Sequence, residues 1–212
     1  MRGRHLLRAA ATTGVALAAL AVGASTAGAG VLVASAPSCD AQPLSKPFAP
    51  WLDLADYTPL PGGDFEGSMA GWSMSGGAAV AAGNATQHVG TVADGASLAI
   101  PAGGSATSAT ICVGITHPTT RFFARRRSSG LRVSLSSLRV DVLFELSSGT
   151  VTTLPIGSVL NDGSWQPTLP IAIVANLLTL LPGERTPIAL RFTAQGGDWS
   201  VDDVYVDPYG RK

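Results

Sequence analysis

From residue 62 onward, apolar and polar positions alternate in short runs broken by glycine, proline and asparagine, the pattern of half-buried strands and tight turns. The period of two is clearest over residues 139–147. Val140, Val142, Phe144 and Leu146 fall on one face, and Arg139, Asp141, Leu143 and Glu145 on the other. Further strands are expected over 64–66, 72–82, 97–100, 108–115, 120–126, 131–135, 151–156, 188–193 and 199–206. Turn signals sit between them at Gly83-Asn84, Gly103-Gly104, Ser148-Gly149 and Asn161-Asp162-Gly163. Residues 171–181 hold no charge and read as a strand continued by a short helix, too short to span a bilayer. There is no fixed-period repeat. Eight to ten short strands with such turns predict an all-β sandwich or jelly roll.

Two stretches frame this region. Near its start stands GGDFEGSMAGW, from Gly62 to Trp72; near its end stands DWSVDDVYVDP, from Asp198 to Pro208. The spacing predicts that these first and last strands meet. In the opening stretch Asp64 and Glu66 share a face opposite Phe65. In the closing stretch strict alternation puts Asp202, Val204 and Val206 on one face, and Val201, Asp203 and Tyr205 on the other. A carboxylate in line with two valines is costly to bury as a bare charge, so Asp202 calls for a cation or several backbone N–H groups.

The residues before 62 change the picture in two ways. Arg2, Arg4 and Arg8 precede an Ala/Leu/Val-rich run and then small residues, which is the three-part pattern of a secretory signal over 1–29, with cleavage before Gly30. An uncleaved N-terminal membrane anchor is the rival reading. Residues 30–61 then carry Pro37, Pro43, Pro47, Pro50, Pro59 and Pro61, which exclude a regular helix or a central strand. This is an extended lead, with Phe48, Trp51, Leu52, Leu54 and Tyr57 to lay on the sandwich and a helical turn over 51–55. In an exported chain Cys39 and Cys112 pair first as a disulfide, closing a loop of about seventy residues worth roughly 3–5 kcal/mol.

The full chain balances 14 basic against 14 acidic residues; without 1–29 it carries a net −3. That balance attracts neither nucleic acid nor an anionic membrane surface. Arg121, Arg125, Arg126 and Arg127 read as a solvated strand end. Catalytic patterns are missing. Only His88 and His117 remain beyond the signal, no G-x-S-x-G elbow occurs, and no phosphate loop or cofactor fingerprint is found. On the alternation above, Asp202 and Asp203 point apart, and Glu145 stands alone, so no carboxylate pair faces itself across a cleft. A non-catalytic protein is favoured, with enzyme activity left open.

Gly63-Asp64-Phe65-Glu66 with Gly71-Trp72, Gly163-Ser164-Trp165, and Trp199-Ser200-Val201-Asp202-Asp203-Val204 together resemble the opening, middle and closing motifs of galactose-binding-like jelly rolls found among carbohydrate-binding modules. The resemblance covers residues 62–208. The whole chain is also similar to exported proteins of high-GC Gram-positive bacteria, a group that brings no defined activity with it. The resemblance implies a structural calcium where first and last strands meet, held by Glu66 and Asp202 with backbone carbonyls; hard oxygen donors suit that ion. It implies core positions for Trp72, Trp165 and Trp199, which leaves Trp51, Tyr57, Tyr205 and Tyr209 as the candidate exposed rings. The organisation expected is therefore a signal peptide over 1–29, a lead over 30–61 and a jelly-roll β-sandwich over 62–212. The expected function is a secreted, non-catalytic binding or cell-surface interaction module for polysaccharide or cell-wall glycan, its ligand residues undetermined. A glycan hydrolase with unrecognised acids and a purely structural envelope protein are the alternatives.

Overall fold

The computed structural model describes residues 32–33, 39, 42–127, 136–160, 163–178 and 184–207. The expected signal, the strand over 131–135, the Asn161-Asp162 part of the third turn, and Tyr209 lie outside these residues. The described chain forms two antiparallel sheets packed face to face. The first runs β10 (Gln166–Pro167), β7 (Thr119–Arg126), β13 (Trp199–Asp207), β4 (Ala96–Ile100) and β3 (Ala79–Ala82). To it are added β1 (Thr58–Pro59) on β13 and β11 (Ile171–Ala172) on β7. The second runs β2 (Ser73–Ser75), β5 (Ser105–Thr107), β12 (Thr186–Gln195), β8 (Ser137–Glu145) and β9 (Val151–Val159), with β6 (Ile111–Val113) also on β12. The chain crosses repeatedly from one sheet to the other, which makes this a jelly-roll sandwich.

The alternation in β8 and β12 works as the sequence demands. Val140, Val142 and Phe144 meet Ile188, Leu190 and Phe192 inside, against Leu98, Phe122, Trp199 and Val201 of the first sheet. Leu146 lies past the end of β8 and is exposed. Residues 72–82 are two strands, not one. Gly76 and Gly77, both at positive φ, turn the chain from β2 in one sheet to β3 in the other.

The expected opening strand at 64–66 is a turn. Phe65 sits at φ 58° and still drops its ring into the core, while Asp64 and Glu66 remain outside. The start and end of the domain do meet, by another route: β1 pairs with β13, Leu60 N–H donates to Val204 O, and Val204 N–H donates to Gly63 O at 3.0 Å.

The lead lies across the outer face of the first sheet. Phe48 stacks on Phe123 and meets Tyr57 and Tyr205 edge-on, and Trp165 joins the same buried cluster. Tyr57 and Tyr205 are thus interior groups rather than exposed rings, because the lead and β13 bury one another. Trp51 packs edge-on to Phe123 from the end of a short 3-10 turn, Ala49–Trp51. Arg121 is buried as well. Its guanidinium covers the Phe48 ring and pairs with Asp53 of the lead, so this end of the arginine run is no solvated strand end. Burial pushes the Asp53 carboxyl up, but bonds from Tyr57, Ala55 and Arg121 outweigh it and leave Asp53 below the usual carboxylate range. Cys39 and Cys112 are disulfide-bonded, tying the lead to β6. Close by, His117 is buried, accepting from Gly114 N–H and bonding Gln42 through Nε2 at 2.9 Å.

Phe48 is fully buried between the lead and the sheet. Phe48→Ala is expected to destabilise the protein by about 3–5 kcal/mol, read as a lower denaturant midpoint. Retention of the wild-type midpoint would show that the lead is not part of the folded unit.

Candidate functional site

The residues singled out for metal binding sit where β13 breaks its alternation. The register with β7 shifts between Asp202 and Tyr205, and Asp203 takes φ 50°. Val201 points inward before this bulge and Val204 and Val206 after it. Asp202 pairs with Phe123, an outer-face residue, and therefore shares the outer side with Tyr205, not with Val204 and Val206. The extra residue is the physical reason that strict alternation misplaces Asp202.

Asp202 is buried all the same. Its Oδ2 accepts from Ala85 N–H at 2.6 Å and its Oδ1 from Asp203 N–H at 3.0 Å. Glu66 is exposed, with Oε1 accepting from Gly95 N–H and Ala96 N–H, each at 2.7 Å. The two carboxylates thus hold opposite ends of the loop between β3 and β4. Asp203 differs from both. It is only 5% exposed, its carboxylate accepts no hydrogen bond among the described residues, and Asp94, Asp64 and Glu66 act on it electrostatically. With Asp64 it borders a cavity of about 180 Å³, closed on the other side by the chain from Pro59 to Gly62. No three His, Cys, Asp or Glu side chains among the described residues form a ready metal cage.

Burial pushes the Asp202 carboxyl up to about 8, and the neighbouring Asp203 and Glu66 charges push the same way against the two backbone bonds. Burial raises Asp203 to about 7, with Asp94, Asp64 and Glu66 adding to it. Asp207, at the far end of β13, is raised by burial to about 6.

A second constellation, which the motif reading missed, lies on the outer face of the second sheet. Cross-strand register assembles two polar rows over five strands. One row is Ser73, Thr107, Arg191, Asp141 and Pro155; the other is Ser75, Ser105, Thr193, Arg139 and Ser158. At about 4.8 Å per strand the rows extend roughly 19 Å. Asp141 is fully buried beneath this surface. Its Oδ2 receives Arg139 Nε at 3.1 Å and Nη2 at 3.0 Å, whereas Oδ1 has no partner. Arg191 turns to the opposite neighbour and donates from Nε to Thr107 Oγ1 at 3.1 Å. Ser75 and Ser105 share a hydroxyl–hydroxyl bond of 2.9 Å. At one end Leu32 covers Leu143 and Ala189, and Glu145 Oε2 accepts from Leu32 and Val33 N–H. The outward alternation of Arg191 and Thr193 in β12 was the sequence signal for this face.

No protein-family model and no curated protein matches the chain. Among solved structures it is similar to the paired binding and catalytic modules of xylanase 10B from Clostridium thermocellum complexed with xylohexaose. There the identity is 16% and the TM-score 0.47, over 69% of this chain and 28% of that one, so this chain spans about a quarter of that protein's length. It is also similar to the family 11 carbohydrate-binding module of Clostridium thermocellum in complex with a β-1,3-1,4-mixed-linked tetrasaccharide, at 13% identity and TM-score 0.42 over 70% and 95% of the two chains. The family 22 xylan-binding domain of a Paenibacillus barcinonensis xylanase aligns at 14% identity and TM-score 0.42 over 69% and 91%.

The raised carboxyls fix a sign for pH dependence. Between about pH 4 and pH 8 the folded chain keeps protons on Asp207, Asp203 and Asp202 that the unfolded chain has released. Their stabilisation is complete below pH 4 and lost as pH rises through about 6, 7 and 8. In chelator, the melting temperature is expected to fall from pH 5 to pH 8. Asp203→Asn should raise it at pH 8 by about 4–8 °C, equivalent to ~2 kcal/mol. A flat profile, or an Asp203→Asn variant that melts lower at pH 8, would contradict this electrostatic account.

Proposed function

We propose that the protein is a non-catalytic carbohydrate-binding module, and that the outer face of its second sheet is the binding surface. One observation carries this reading. The outer face of the first sheet is sealed by the aromatic lead, whereas the second presents two rows of hydroxyls and guanidinium groups across five strands, with the Asp141 carboxylate buried beneath them. Hydroxyl donors and acceptors at strand spacing, backed by the fixed Arg139–Asp141 pair, suit a polyhydroxylated chain lying along the rows. Neither row contains an aromatic ring for a sugar to stack on, so affinity rests on hydrogen bonds and is modest. An exported location, with a cell-wall or other extracellular glycan as target, completes the proposal. It draws on the N-terminal signal pattern and the disulfide. Among the described residues, no helix is long and apolar enough to cross a membrane.

We also propose calcium as a structural ion beside the β13 bulge. Support comes from an all-oxygen donor set and from Asp203, a buried carboxylate that accepts no hydrogen bond among the described residues. Glu66 and Asp202 remain the candidate ligands, and Asp64 and Asp203 border the adjoining cavity. The ion would neutralise repelling carboxylates and hold the ends of the protein together.

Two measurements test these proposals. The protein should be retained on insoluble polysaccharide without releasing reducing sugar, and Ser75→Ala with Thr107→Ala should weaken retention by about tenfold. Sugar release would turn the reading to a hydrolase, and no retention on any glycan would remove the binding role. Added calcium should raise the melting temperature, most at pH 8. No change at any pH would remove the ion.

A further inference from the structure

We infer that the polar face recognises a carboxylated sugar, a uronic acid residue within the glycan, and that Arg191 is the residue that selects it. This rests on the binding face proposed above and narrows the ligand to one chemical class.

The two arginines of the face differ in what they do. Arg139 is committed, since both of its contacting nitrogens lie on Asp141 Oδ2 and its charge is cancelled within the sheet. Arg191 lies directly across from Asp141 in the β12–β8 register, yet it forms no ion pair with it. Instead its Nε anchors on Thr107 Oγ1, on the far side of β12. That bond anchors one edge of the guanidinium and leaves its Nη1 and Nη2 without a partner among the described residues. The group is half-buried, on a strand flanked on both sides, and less free than an arginine at a loop tip.

A guanidinium held by one edge presents two parallel N–H donors, the geometry that a carboxylate matches with both oxygens. The surroundings fit the rest of such a sugar. Ser73 and Ser75 on β2 and Ser105 and Thr107 on β5 offer hydroxyls on one side of Arg191. On the other side the Asp141 carboxylate is buried and held by Arg139, so it offers the sugar no contact. With one free positive charge on this face among the described residues, beside a neutralised pair, the site accommodates a single carboxylate rather than a dense run of phosphates or sulfates. The chain beyond residue 29 carries a net −3, so overall charge does not attract an anionic polymer and the preference must come from this one group.

The test pairs each acidic polymer with itself. Affinity electrophoresis of the purified, disulfide-bonded protein would use glucuronoxylan and polygalacturonate, each native and after chemical reduction of its uronic carboxyls to primary alcohols. Retention by at least one native polymer is expected, weakening about tenfold to a hundredfold on its reduced form. It should also fall with added salt. Arg191→Gln should bind native and reduced forms alike, and Arg191→Lys should keep part of the preference; both variants should melt near wild type. Equal retention of native and reduced polymer, or an undiminished preference in Arg191→Gln, overturns the inference. Retention only on neutral glucan or arabinoxylan, or only on phosphate-bearing teichoic acid, also overturns it while leaving the module reading in place. Retention on no polymer overturns both.

Discussion

Every residue of β13 is buried, and a strand buried on both faces must be covered twice. Much of the molecule answers that requirement. Val201, Val204 and Val206 take the inner cover from the second sheet, through Leu190, Phe192 and their neighbours. Tyr205 takes the outer cover from a segment with almost no regular structure, which supplies Phe48 and Tyr57 in place of a helix. The proline-rich lead is well suited to this. It contributes large rings without asking for a ladder of hydrogen bonds, and its buried ion pair, Asp53 with Arg121, is itself capped by a tyrosine hydroxyl. Covering β13 also encloses its aspartates, which is why their proton affinity is raised at three places along one strand.

The parts of this arrangement that follow from local pattern were legible in the sequence. The alternation of Val140, Val142 and Phe144 states which face of β8 is interior, and a chain with two cysteines beyond its N-terminal stretch states their pairing. What failed did so where a distant partner overrides the local rule. Strict alternation assigned Asp202 to the interior because nothing in Asp202-Asp203-Val204 announces a bulge; no glycine marks the positive φ at Asp203. Arg121 looked like one of a solvated run, and it is distant partners, Phe48 and Asp53 of the lead, that make it an interior group. The polar rows were half visible. Ile188, Leu190 and Phe192 imply that Arg191 and Thr193 face out, but that Ser73 and Thr107 stand beside Arg191 depends on strand order, which no window of the chain contains.

The two outer faces of the sandwich have opposite chemistry, and the difference follows from what each can bury. The first is lined by Phe123 and Tyr205, surfaces that water leaves gladly, and so it is closed by the chain's own lead. The second is lined by serine, threonine and arginine, groups that lose little in water and gain little from an apolar cover. Among the described residues nothing apolar covers its polar rows. Leu32, resting on Leu143 and Ala189, marks the border where apolar covering stops.

The disulfide has a mechanical consequence. Cys39 and Cys112 close a covalent ring that contains the lead, the turn at 64–66 and the first strands of both sheets. Tension applied to the chain ahead of Cys39 therefore does not travel along the lead, where it would peel Phe48 from Phe123 one contact at a time. It crosses the sulfur bridge into β6 and meets β12, itself held between β8 and β5. The load falls at once on a laterally bonded sheet that resists as a block, so the domain can be pulled from its front end without first being undressed.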